Sequence, residues 1–171
     1  MADTFVFEQA AVYVDGTRFL GNLAEIEMPE LAWEVMTHEA VGLRGKASYP
    51  TVMGELEATL TFADYAPELT RIVNDPFTAY NLQIRQAYGV YRAGSKIRTA
   101  SVIVSLRGRF VSHSLGSLAQ GEMDGKEAMM SVDYVKQTSD GQVLSEFSID
   151  PPIYRTGGID LFETLRSILG V

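Results

Sequence analysis

The chain has 171 residues, no cysteine, and 22 acidic against 14 basic side chains, for a net charge of −8. This length suits one domain able to bury roughly 70% of its unfolded surface without a disulfide or metal staple. The absence of cysteine excludes Cys-ligated zinc and iron–sulfur sites, and two histidines, His38 and His113, are too few for a histidine-rich metal site. The negative balance argues against a surface that grips nucleic acid or an anionic membrane, since both rest on clustered Lys and Arg. The opening "MADTFVFEQA" lacks the basic start and apolar run of a signal peptide, and no stretch reaches the roughly 18 apolar residues of a membrane span. The expectation is a chain made, and soluble, in a cytoplasm.

Taken in order, "AAVYVDGTRFLG" predicts a hairpin around Asp15-Gly16, because both central positions of a tight type I′ turn need positive φ. In "NLAEIEMPELAWEV" apolar residues alternate up to Met28, and the parity switches after Pro29 to Leu31, Trp33 and Val35. This predicts one long strand bent at the proline. Residues 36–55 then predict a long polar loop of about twenty residues, a length seldom tolerated unless functional or disordered. Its Gly42 and Gly45 give backbone freedom, and Arg44 and Lys46 make a cationic tip.

"ELEATLTF" alternates cleanly, with Leu56, Ala58, Leu60 and Phe62 on one face, which predicts a half-buried strand. "ADYAPELTRIVNDP" predicts a short helix with Asp64 at its start and Pro67 in its first turn. "TAYNLQIRQAYG" and "KIRTASVIVSLRGRFV" read as further strands, followed by the polar stretch "SHSLGSLAQGEMDG". "KEAMMSVDYVKQT" and "QVLSEFSID" flank "SDG" as a second hairpin, and a C-terminal helix is expected over about 158–169. The fold class is therefore mainly β: an antiparallel sandwich or barrel with two short helices and a long inter-strand loop, in a single domain over residues 1–171. Strands with one polar face suit a sheet wet on one side.

No nucleophile elbow, zinc-protease motif, phosphate loop or dinucleotide fingerprint is present. Both histidines fall in predicted loops, where a solvated ring is the plain reading. Glu25, Glu27, Glu30, Glu34, Glu55 and Glu57 offer carboxylate pairs for acid–base chemistry, but they alternate along strands as a solvated face does. Arg107 and Arg109 flank Gly108 at a strand end. They suit ion pairs with nearby acids, and their rigid donor forks suit contacts between subunits.

The order of these elements, from about Val12 to Gly170, resembles the major tail tube protein of contractile-tailed phages and of R-type pyocins. "YVDGTRFLGNLAEIEMPELAWEV" resembles that family's first hairpin and long strand broken at a proline, and "HEAVGLRGKASYP" its glycine-dotted loop. "VIVSLRGRF" is similar to a strand ending in Arg-Gly-Arg. "AQGE", "AMMSVDYVKQTSDGQVLSEFSID" and a Gly-Gly-Ile-Asp helix start follow in the family's order. The resemblance implies a non-enzymatic virion protein with no cofactor, assembled in the bacterial host cytoplasm. Homohexameric rings would stack into the inner tube of a contractile tail. Its implied partners are further copies of itself, the tail sheath, the tape-measure protein inside, and baseplate and tail-terminator proteins, with DNA passing through unbound during ejection. Gly42, Leu43, Arg44, Gly45, Lys46, Ser48 and Tyr49 would form the loop between rings and subunits. Glu30, Glu34, Glu57 and Asp133 are candidate lumen-facing acids, and Arg107 and Arg109 candidate interface ion-pair residues. The inner tube of a bacteriocin or type VI-like injection machine is the near alternative. A lipocalin-like barrel for a small apolar ligand and a paired-acid hydrolase are the alternatives of other classes.

Overall fold

Four hairpins form where two adjacent residues accept positive φ, the last of them at Gly157 and Gly158. In the computed structural model, which describes residues 3–18, 23–39, 45–116 and 126–170, strand β1 (Thr4–Val14) turns at Asp15 and Gly16 into β2 (Thr17–Arg18). Further along, β7 (Tyr80–Arg92) turns at Ala93 and Gly94 into β8 (Ser95–His113). β9 (Glu127–Ser139) turns at Asp140 and Gly141 into β10 (Gln142–Ser148). The turn at Ala93-Gly94 escapes sequence reading because alanine does not announce a positive φ. Here φ is +52° at Ala93.

Between the first two hairpins lie β3 (Leu23–Glu27), β4 (Trp33–His38), β5 (Ala47–Met53), β6 (Glu57–Phe62) and helix α1 (Pro67–Val73). After the third come β11 (Ile153–Thr156), β12 (Ile159–Asp160) and helix α2 (Glu163–Leu169). All the pairings are antiparallel, so the mainly β expectation holds. The main sheet runs β12-β11-β10-β9-β8-β7-β1-β2 and does not close on itself among the described residues.

The sheet forks at β9. Its first half pairs with β6, which carries β3 on its far edge, and its second half pairs with β10. β8 runs along the other side throughout. Ala58, Leu60, Phe62, Leu82, Ile84, Leu106, Phe110, Met130 and Val135 point between the two branches and form the core. Leu69 and Val73 of α1 close one side of it. Alternation in β6, β7 and β8 thus does what a period of two requires, with one face buried and the other wet.

Four expectations are corrected. The strand read through Pro29 is two strands in different sheets, separated by residues 28–32, which have no regular structure. A proline without an N–H and a change of apolar parity end the ladder rather than bulge it. The loop read over 36–55 is largely regular, because β4 and β5 pair with each other as a two-stranded ribbon. The alternation there is masked by residues exposed on both faces, Val35, Met36, Tyr49 and Val52 among them. Finally, the C-terminal helix begins at Glu163, not near residue 158. Ile159 and Asp160 instead pair with Arg155 and Thr156. In the first helix the capping position is Ala66 rather than Asp64.

Candidate assembly surfaces

Cross-strand rows define the wet face of the main sheet. Asn81 stands opposite Arg107, and Arg107 opposite Tyr134. Arg109 stands opposite Ser131, and Ser131 opposite Glu57. On the β6 branch, Glu25 and Glu127 flank Thr61, and Glu27 and Met129 flank Thr59. Directly paired residues project to the same side, so Glu25, Glu27, Glu57 and Glu127 share one end of this face and the two arginines sit beside them. Arg109 Nη1 lies 3.6 Å from Asp133 Oδ2. Arg107 makes no ion pair among the described residues. It lines a groove of about 630 Å³ with Asn81, Arg109, Asp133 and Tyr134.

Of the acids singled out from sequence, Glu57 and Asp133 therefore lie on one polar surface. Glu30 and Glu34 do not join them, since Glu30 lies in the 28–32 connection and Glu34 on the ribbon. Glu25, Glu27 and Glu127 complete the acidic end. The first two were visible in the sequence only as alternating acids, because their neighbourhood depends on which strand β6 meets.

The ribbon is an arm. Ser48 and Tyr49 lie in β5, opposite Thr37 and Met36, and Tyr49 is exposed. Gly45 is at a bend, and Lys46 pairs with Glu39 near the tip. Gly42, Leu43 and Arg44 lie outside the described residues. At its root, the Gly54 N–H donates to the Ala32 carbonyl at 2.8 Å and the Thr51 hydroxyl donates to the Glu34 carbonyl at 3.0 Å. Trp33 meets Tyr154 and Phe162 edge-on, with ring centroids 5.3 and 6.0 Å apart. Trp33, Val52, Met53, Phe147, Ile149 and Leu165 line an apolar groove of about 320 Å³ there.

Sequence reading missed the polar network behind this root. Asp160 accepts hydrogen bonds from the Phe162 N–H at 3.1 Å, Arg155 Nε at 3.2 Å and Arg166 Nη2 at 2.6 Å. Arg166 Nη1 also donates to the Pro152 carbonyl at 2.9 Å. Arg155 Nη1 reaches Glu146 at 3.1 Å, and the Tyr134 hydroxyl donates to Glu146 at 2.7 Å. The Arg166 bond, helped by the Phe162 N–H, holds the Asp160 carboxyl down to about 2. Burial, then the Glu146 bond, pushes the Tyr134 phenol up to about 12. Burial opposes ionisation of Glu146, yet hydrogen bonds from Tyr134 and Arg155 outweigh it and lower its pKa.

The family model for phage tail tube protein FII matches residues 6–170. The chain belongs to this phage tail tube family. Tail tube relatives include the major tail tube protein of Serratia phage KSP20, 24% identical over 164 residues, covering 94% of this chain and 92% of the relative. The tail tube fold also matches two chains from cryo-EM structures of an extracellular contractile injection system. One, from the PVC sheath/tube terminator in the extended state, has a TM-score of 0.56 at 14% identity, over 76% of this chain and 93% of the other. The second, from the sheath-tube complex in the extended state, has a TM-score of 0.54 at 15% identity, over 77% and 88%. As a tail tube protein the chain is a structural component of a phage tail, not an enzyme. No helix among the described residues is long and apolar enough to cross a membrane.

Proposed function

We propose that the chain is the repeating subunit of the inner tube of a contractile tail, arranged in six-membered rings that stack head to tail. The observation that carries this is the open sheet. β12 ends the main sheet on one side, β1 is covered by only the two residues of β2 on the other, and the arm pairs with nothing but itself among the described residues. Unpaired backbone along such edges invites pairing with another chain, and heterologous contacts that do not close on one ring build a filament. The wet face of the sheet lines the bore, with Glu57 and Asp133 directed to it. The arm that carries Gly45, Lys46, Ser48 and Tyr49, together with the loop residues Gly42, Leu43 and Arg44, makes the contacts between rings and subunits. Arg107 and Arg109 make ion pairs at subunit contacts. The partners are the sheath outside, the tape-measure protein inside, and baseplate and terminator proteins at the ends, with DNA passing through.

Negative-stain microscopy of the purified protein at high concentration tests the assembly. Hollow tubes of uniform width are expected. A monodisperse monomer that stays so when seeded with tail fragments, and that holds a small apolar ligand, would overturn it. A second reading, the inner tube of a bacteriocin or type VI-like injection machine, shares this fold. The nucleic-acid content of purified particles separates the two.

A further inference from the structure

We propose that Asp160 is a positioning residue for assembly: through Phe162 and Trp33 it fixes the direction in which the arm leaves the body. The inference rests on the tube reading above and assigns that arm a device which sets its angle.

The arm joins the body through two short connections, residues 28–32 and 54–56, and its strands pair only with each other among the described residues. The Gly54–Ala32 hydrogen bond closes the neck within the ribbon itself. A neck of this kind leaves the ribbon free to swing. Trp33, the first residue of β4, meets two rings of the body, Tyr154 and Phe162, and Met53 at the end of β5 packs against the core. Tyr154 is held in β11 by pairing with Phe147. Phe162 is held by Asp160, which accepts its N–H and at the same time takes Arg155 and Arg166. The carboxylate therefore fixes the second wall of the Trp33 slot.

Helix α2 gives the reason to read this as positioning. It has seven residues and none is buried, while Leu165, Ile168 and Leu169 are exposed. A helix this short does not persist undocked, and its docking adds little to the core. Charge-assisted hydrogen bonds converging on one carboxylate are the strong kind. Here they serve an element whose one ring contact with the arm is Phe162. The chain continues from Arg155 through Glu146 to Tyr134, which stands opposite Arg107 on the wet face. One hydrogen-bonded line thus joins the surface assigned to the bore with the root of the arm.

The test uses Asp160→Asn, Asp160→Glu and Arg166→Gln. Asp160→Asn and Arg166→Gln are expected to keep the far-ultraviolet dichroism of the parent. The fluorescence of Trp33, the sole tryptophan, is expected to shift to the red. Tube nucleation is expected to slow about tenfold or more, as the loss of one charge-assisted hydrogen bond implies, and Asp160→Glu to recover part of the rate. The chain has no cysteine, so a Val52→Cys, Leu165→Cys pair across the apolar groove can be bridged with a short bis-maleimide. Bridging in the Asp160→Asn background is expected to restore nucleation without restoring the carboxylate. Nucleation at the parent rate in both Asp160→Asn and Arg166→Gln would overturn the inference. So would slow nucleation that the bridge leaves unchanged, or loss of fold in both variants. Parent protein that forms no tubes would count against the tube reading itself.

Discussion

At Gly108 an added Cβ would lie 2.0 Å from the Ser131 carbonyl oxygen and 2.9 Å from the Val132 Cα, both backbone atoms that cannot step aside. The glycine sits at a register shift where Gly108 faces Val132 while Arg107 faces Tyr134, leaving Asp133 bulged. Replacing it with alanine is expected to cost about 3 kcal/mol or more, by overpacking against fixed backbone, and denaturant unfolding checks this. In the sequence, "RGR" shows its charges. The steric role of its middle residue depends on a carbonyl in another strand. Ala93 presents the opposite case, an L side chain at φ +52° in a tight hairpin. Ala93→Asn supplies the Asn-Gly pair that such turns favour, and a gain of about 0.5–1 kcal/mol is expected in thermal unfolding.

Among the elements, the root of the arm meets the segment just before α2 through Trp33 and Phe162. Asp160 ionises at about 2 in the folded chain against 3.8 unperturbed, held there first by Arg166. A carboxyl with a lowered folded pKa contributes stability that is whole above its unfolded value and is lost as pH falls through the folded one. The lowered Glu146 acts in the same direction. Trp33 fluorescence is therefore expected to hold constant around neutral pH and to change between about pH 4 and about pH 2 as the anchor releases. A transition centred well above pH 4 would show that another group governs the docking of this root. A helix over about 158–169 would hold Asp160 inside its first turn. The structure makes it the last residue of β12, three positions before the helix begins at Glu163, where its oxygens take three partners.

Across the whole molecule, the wet face is not uniformly acidic. Glu25, Glu27, Glu57 and Glu127 gather on the β6 branch, while Arg107 and Arg109 occupy the adjoining strand. Facing a bore, the acidic end repels phosphate, and the effect reaches about a Debye length of 8 Å at physiological salt. The Arg109–Asp133 pair is half exposed on both sides and is worth less than about 1 kcal/mol. Glu57→Lys with Asp133→Lys is thus expected to leave tubes intact and to slow genome release, more strongly at low ionic strength. Time-resolved release of a DNA-binding dye from particles carrying the double variant measures this. Ejection kinetics equal to the parent at every salt concentration would remove these residues from the bore.

What the sequence determined by itself is what neighbours along the chain decide. Alternation with a period of two made β6 legible, β-rich runs marked β7 and β8, and the Asp-Gly pairs marked two of the hairpins. The spacing of Leu69, Ile72 and Val73 marked α1. These rest on local sterics and on which face a residue takes, and both are settled within a few positions. Only the tertiary structure decided that β9 divides its edge between β6 and β10, and that the chain leaves the sheet at residues 28–32 to raise a separate ribbon. It alone set Trp33 between Tyr154 and Phe162, and gathered the acids of β3, β6 and β9 at one end of a face. Each of these joins residues far apart in the chain. A pairing shifted by one residue turns every side chain of a strand to the opposite face, so the register that places them is fixed by burial across the whole sheet.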